Sequence, residues 1–175
     1  MSGLRSTAMP DCASPSPALS IRAATAADLP SVLALYAQPE IDAGQILPLD
    51  QAEAIFRRMR SYPNYTLYVA SLGDRIVGTF SLLIADNLAH LGAPSGVVED
   101  VVVAVEEQGK GIGKQMMRFA LERSREHGCY KMALSSNARR TAAHHFYDSL
   151  GFERHGLSFV ATPDIATPPA SPADR

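Results

Sequence analysis

Cysteine is scarce in this chain: Cys12 and Cys129 are the two in 175 residues. That excludes a disulfide framework and fits a reducing compartment, the cytoplasm. No apolar run approaches the roughly 20 residues that a membrane-spanning helix needs, so no membrane partner is expected. Met1 to Ala18 has one arginine and several prolines but no continuous apolar segment, which excludes a secretory signal. A basic surplus is also missing, since Lys and Arg number 16 against 18 Asp and Glu, for a formal net charge of -2. Nucleic acid is therefore not an expected partner, and any anion site must be local. No CxxC or HxxxH spacing occurs, and His144 and His145 are adjacent, so no metal site is expected. There is no internal repeat.

What is present is enough for one core: 46% of residues are hydrophobic and 19% charged. We expect a single domain over 19–160, between a disordered leader, 1–18, and a disordered tail, 161–175, rich in Pro, Ala and Asp. Leu19 to Arg22 alternates as a short strand, and Thr25 can cap a helix with Leu29, Val32, Leu33 and Tyr36 at helical spacing. Pro39 to Pro48 breaks the pattern before a second helix starts at Asp50. Tyr65 to Leu72 and Ile76 to Ile84 flank Gly73-Asp74 as a hairpin. Asp86 to Ser95 is a polar connection.

Strand Val97 to Val105 comes next, then a helix with Ile112, Met116, Phe119 and Ala120 on one face, ended by Gly128. Tyr130 to Ser135 reads as a strand. Thr141 opens a helix carrying Ala143, Phe146, Tyr147 and Leu150, and Gly151 stops it. Phe152 to Val160 reads as a final strand, which can pair across a homodimer. A hairpin followed by strands with crossover helices predicts an α/β chain of the α+β kind, with a mixed sheet rather than a wholly parallel one.

The rest is organised around Gly96 to Gly113, GVVEDVVVAVEEQGKGIG. Its first half is β-branched on both faces, the pattern of a buried central strand, yet Glu99 and Asp100 interrupt it. Buried carboxylates are costly without partners, so these two are either structural or placed for chemistry. Adjacent strand residues point to opposite faces, so at most one meets a substrate unless a bulge re-aims the other. The second half is a glycine turn opening a helix, where backbone N–H groups can cradle an anion.

Spacing separates the phosphate-binding turns. A P-loop needs glycine where Gln108 stands and Ser or Thr where Gln115 stands. A dinucleotide fingerprint needs a third glycine where Lys114 or Met116 stands. What matches is Gln/Arg-x-x-Gly-x-Gly/Ala, here Gln108-Gly109-Lys110-Gly111-Ile112-Gly113. On this turn, on Ala143-x-x-Phe146-Tyr147-x-x-x-Gly151-Phe152, and on the order of elements, the chain resembles the GNAT family of N-acetyltransferases.

That resemblance implies a GNAT-like fold, with an N-terminal β-hairpin region and central splayed strands flanked by helices. It implies acetyl-coenzyme A as cosubstrate, its pyrophosphate held by Gln108 to Gly113 with Lys114. The splayed strand would leave backbone groups of Val101, Val102 and Val103 for the acyl oxygen and the pantetheine arm. Acetyl transfer needs an unprotonated amine, support for an oxyanion and a proton for the thiolate. Glu99 or Asp100 would take the ammonium proton, with Glu99 preferred, and burial would raise its pKa.

Tyr147 matches the tyrosine that many members use to protonate the thiolate; a phenol near pKa 10 donates to a thiol of about 8.5 only modestly uphill. Tyr147 also fits as a core aromatic. Where the family often has asparagine, three residues before Ala143, this chain has Arg140, and Asn137 lies three earlier. Asn137 is retained as a coenzyme contact. Arg139, Arg140 and His144 can hold an anionic group or simply be solvated. SSNARRTAAHHFY is similar to aminoalkylphosphonate acetyltransferases, and Val98 to Val101 with Gly128 to Lys131 to aminosugar-phosphate ones. The expected acceptor is a primary amine of a small molecule; a peptide amine, or a non-catalytic acyl-coenzyme A module, is the alternative.

Overall fold

The computed structural model describes residues 17–161, so the leader and tail expectations lie almost wholly outside the described residues. The chain divides into two compact units, Met1–Leu134 and Ser135–Arg175. The first holds a five-stranded sheet in sequence order: β1 (Leu19–Ala23), β2 (Tyr65–Leu72), β3 (Arg75–Ala85), β4 (Ser95–Val103) and β5 (Lys131–Leu134). Neighbours from β1 to β4 are antiparallel, and β4 pairs with β5 in parallel. The sheet is mixed, as the hairpin and crossover pattern predicts.

Helices α1 (Leu29–Tyr36) and α2 (Leu49–Met59) bury Leu29, Val32 and Phe56 against Leu67 and Val69 of β2. Thr25 caps a single 3-10 turn, Ala26–Asp28, that runs into α1, and it does so in a capping box with the Asp28 carboxylate. That carboxylate accepts from the Thr25 N–H at 2.7 Å and hydroxyl at 2.9 Å, and from both ends of the Arg22 guanidinium at 2.7 and 2.8 Å. Helix α3 (Ile112–Glu126) packs closely against the sheet at two glycines. A methyl at Gly78 would meet the Met116 sulfur at 2.8 Å, and one at Gly96 the Ser124 hydroxyl at 2.5 Å. Phe119 of α3 stands edge-on to Tyr68 and Phe80, with centroids 5.2 and 6.4 Å away.

The second unit contains α4 (Thr141–Ser149). Phe152 to Val160, expected as a strand, is not one. Gly156 turns left-handed at φ 80° and breaks the alternation. Leu157, Phe159 and Val160 stand 84, 88 and 92% exposed, without the neighbour that a ladder requires. The other correction concerns β4. It ends at Val103, and Val105 enters a 3-10 turn, Val105–Glu107. Only Gly96, Val98 and Val102 of β4 are buried, and Glu99 and Asp100 are exposed.

Candidate active site

The two carboxylates sit at a break in the β3–β4 ladder. Ser81 pairs with Glu99 and Thr79 with Val102, so Asp100 and Val101 together oppose Phe80 in a β-bulge. Asp100 adopts φ 53°, the left-handed conformation that such an extra residue takes. Successive β3 residues face opposite ways, so Val98, opposite Leu82, and Val102, opposite Thr79, project from opposite faces of the sheet. Val102 thereby joins Leu35 and Ala104 in a core cluster that includes Tyr36, Ile41 and Ile76. The bulge explains how a valine-rich strand carries adjacent carboxylates without burying either one fully.

Asp100 is accessible, yet burial of its carboxyl raises its pKa, and the negative charge of Asp42 adds to the rise. Tyr36 lies beside it: burial, then the Asp100 charge, pushes its hydroxyl well above the ordinary phenol range, and a hydrogen bond with Thr79 opposes this. Asp42 belongs to the α1–α2 loop, which is pinned by Asp42 N–H to Tyr36 O at 3.1 Å and Gly44 N–H to Ala37 O at 2.9 Å.

The free side of the strand is set by where β5 stops. β4 and β5 pair from Ser95–Lys131 to Val98–Leu134 and no further. Across β3, Ala104 N–H donates to Val77 O at 2.8 Å, so by antiparallel alternation Val102 directs its main-chain groups to Thr79 and Val103 directs its own away from β3. The Val103 carbonyl accepts the side-chain amides of Gln38 and Gln108, each at 3.2 Å. Of the three expected backbone contacts, Val102 is thus committed to the sheet and the Val103 oxygen to two glutamines. The Val103 N–H and the bulged Val101 fit the expected role better.

Beyond the strand, Glu107 is 6% exposed and holds the turn from within. Arg75 pairs with it on one side, and Lys110 donates to its other oxygen at 3.1 Å. These bonds, Arg75 first, hold its carboxyl below the usual range. Gly109 and Gly111 follow at φ 76° and 81°, with nothing within 4 Å of where a side chain would start. Gly111 caps α3, which begins at Ile112, with Gly113 and Lys114 in its first turn. An open approach to the N–H groups of a 15-residue helix fits a pyrophosphate.

In the second unit, the Asn137 side-chain oxygen accepts from Arg139 N–H at 2.9 Å, and its carbonyl from Arg140 N–H at 2.9 Å. A ring nitrogen of His144 meets the same carbonyl at 3.0 Å. Asn137 therefore shapes the entry to α4. Tyr147 packs edge-on against Phe146 and Phe152, with centroids at 5.1 and 5.7 Å. Burial raises its pKa and Arg140 partly offsets this.

Sequence reasoning missed Tyr36, Gln38, Asp42, Arg75 and Glu107. The Glu106-Glu107 pair directly before the turn was a usable signal for Glu107. For Gln38, 65 residues from Val103, no local pattern exists.

Comparison with known proteins places the chain. The glucosamine 6-phosphate N-acetyltransferase of Trypanosoma brucei brucei is 41% identical over 81 residues, 46% of this chain. The aminoalkylphosphonate N-acetyltransferase of Salmonella typhimurium is 31% identical over 98 residues, 56% of this chain. The chain spans about half of the first relative, 53%, and 63% of the second. A solved structure of a provisionally assigned acetyltransferase from Agrobacterium tumefaciens str. C58 superposes with a TM-score of 0.77 at 34% identity, covering 82% of this chain and 99% of that one. The profile of the acetyltransferase (GNAT) family matches residues 29–152, most of the described chain, and the protein belongs to that family.

Proposed function

We propose that this protein is an acetyl-coenzyme A-dependent N-acetyltransferase acting on a primary amine of a small molecule, by direct attack with both substrates bound. The observation that carries this reading is the bulged β4 strand, which presents a carboxylate and then runs through an open glycine turn into α3. The bound thioester supplies the acetyl group and the departing thiolate. Gln108 to Gly113 and Lys114 hold the coenzyme's phosphates at the helix start, where N–H groups and the helix dipole favour negative charge. Val101 and the Val103 N–H lie on the side of β4 that β5 leaves uncovered, and they orient the acyl arm.

Asp100 now takes precedence over Glu99 as the base. The bulge re-aims it, and burial with the Asp42 charge raises its pKa, so it is a stronger proton acceptor than an ordinary aspartate. Tyr147 keeps its proton at neutral pH, since burial raises its pKa, and it donates to the thiolate. Asn137 supports the segment before α4 in this reading. For the acceptor, the two curated relatives are described as acting on an aminosugar phosphate and on aminoalkylphosphonates. A small amine carrying a phosphate or phosphonate is the first class to test.

The experiment is calorimetry with acetyl-coenzyme A followed by a thiol-release assay over aminosugar phosphates, aminophosphonates, polyamines, aminoglycosides and peptides. Saturable coenzyme binding and turnover with a small amine are expected. No binding at millimolar coenzyme would overturn the reading of the turn. Turnover with peptides alone would move the function to protein acetylation, and binding without thiol release above background to a non-catalytic acyl-coenzyme A module.

A further inference from the structure

Three segments of the first unit meet at the Val103 carbonyl. Gln38 reaches it from the α1–α2 loop and Gln108 from the glycine turn, each donating a side-chain amide at 3.2 Å, while the carbonyl itself belongs to the end of β4. A carbonyl oxygen has two lone pairs, and here both have a donor. The loop that carries Gln38 also sends Ile41 into the cluster with Val102, and it carries Asp42, whose charge acts on Asp100. The turn that carries Gln108 is braced by Glu107 through Arg75 and Lys110. Ile41 of the loop and Ala104 of the turn also share a core cluster, and the paired amides add a polar link between the two segments outside that cluster.

We propose that Gln38 is a positioning residue: through the Val103 carbonyl it ties loop 37–45 to the turn 104–111, so that a ligand fixed in the turn also orders the loop beside Asp100. This rests on the functional reading above, in which the turn holds the coenzyme and Asp100 faces the amine. Anion binding at the helix start fixes the backbone of Gln108. That orients its amide, and the shared carbonyl then presents one direction to Gln38. Coupling of this kind is reciprocal, so an amine seated at Asp100 tightens the coenzyme by the same factor that the coenzyme tightens the amine. One neutral hydrogen bond sets its size, about fivefold.

Hydrogen exchange followed by mass spectrometry tests the link in the full chain. Gln38→Met and Gln38→Glu keep the length of the side chain and remove the donor, and Gln108→Met does the same on the other side. In the ligand-free protein, Gln38→Met is expected to speed exchange in 104–111, and Gln108→Met in 37–45. A purely local role would affect only each residue's own segment, and absence of both cross-effects overturns the link. Thermal melting checks that each variant is folded, and Gln38→Glu replaces Gln38→Met if that variant is not.

With acetyl-coenzyme A added, loop 37–45 should gain protection in the wild type and not in the Gln38 variants, although those variants still bind coenzyme. With an accepted amine, KM should rise about fivefold and kcat change less than twofold. Protection of the loop that persists in the variants would overturn the coupling. Failure of the wild type to bind coenzyme would sink the functional reading instead, while the ligand-free cross-effects still decide the link.

Discussion

Asp100 combines two properties that a strand residue seldom has together. Its left-handed backbone is tolerable for aspartate and forms the bulge, while its carboxyl is pushed toward the neutral form by burial and by Asp42. The second property has a stability consequence whose sign is fixed. A carboxyl whose pKa is raised on folding costs the fold nothing below its unfolded value of about 3.9, costs increasingly more as pH rises above that, and costs the full amount above the raised value. Asp100→Asn should therefore stabilise the protein at pH 7, and the gain should shrink in melts recorded as pH falls toward about 4 and be absent below it. The same change should cut kcat/KM by about 10²- to 10⁴-fold, the usual worth of a positioned base. It should also erase the acid limb of the wild-type pH profile, in which kcat/KM rises as pH passes the raised Asp100 pKa. Glu99→Gln should cost less than about tenfold on the same scale. If Glu99→Gln is the crippling change, the base is Glu99.

Tyr147 gives a different signature. As an acid for the thiolate it matters after the amine has attacked, so Tyr147→Phe should lower kcat by about 10²-fold while the coenzyme dissociation constant changes little. Its ring packs against Phe146 and Phe152, and phenylalanine preserves those contacts. Unchanged kcat in Tyr147→Phe, with a normal melt, would make it a core aromatic.

At the scale of elements, a glycine within β4 and one at the start of α3 should fail differently. Gly96→Ala would drive a methyl to 2.5 Å from the Ser124 hydroxyl and 3.2 Å from Met132, at a site where α3 approaches β4. Overpacking of this sort costs about 1–3 kcal/mol, read as a lower melting temperature, with coenzyme affinity of the folded protein kept. Gly111→Ala meets nothing within 4 Å, but its φ of 81° is strained for a side-chain-bearing residue, at about 1–2 kcal/mol. Relaxing that strain would reshape the helix start, so Gly111→Ala should weaken coenzyme binding in calorimetry. Equal losses of affinity in both variants would mean the turn is not the coenzyme site.

These elements were readable because their signals are local. Two apolar, β-rich runs flanking Gly73-Asp74 located the hairpin, helical spacing located α1, α2 and α3, and the glycines at Gly109 and Gly111 announced an open turn at a helix start. The bulge was readable only as a condition, because it depends on the register with β3 rather than on β4's own residues. Gly78 and Gly96 gave no hint that they admit α3, since that close approach is a fact about Met116 and Ser124. The final strand was misread because Leu157, Phe159 and Val160 have the right composition, and composition cannot report that Gly156 breaks the run or that no strand among the described residues pairs with it. The Gln38–Val103–Gln108 link and the Asp42–Asp100 pair join positions far apart in sequence, and no spacing rule reaches them.

Over the whole molecule, charge and mass action decide how the coenzyme is felt. The chain carries a formal net charge of -2, so it does not steer a polyanionic ligand by its overall field. In the proposed reading, attraction comes from the N–H groups and dipole at the start of α3, with Lys114 in its first turn, a short-ranged arrangement. A ligand that binds only the folded state stabilises it by about 2.7 kcal/mol at a concentration one hundred times its dissociation constant. For a chain of this size that corresponds to a rise in melting temperature of roughly 5–10 °C. Acetyl-coenzyme A at that excess should produce this shift in wild-type protein, and at the same concentration a smaller one in Gly111→Ala, because the weaker site is less saturated. If the turn holds the phosphates, raising salt from low to physiological should reduce the shift, because salt screens its exposed donors. A shift that salt leaves untouched would move the coenzyme's main anchor away from its phosphates and onto apolar contacts along the strand.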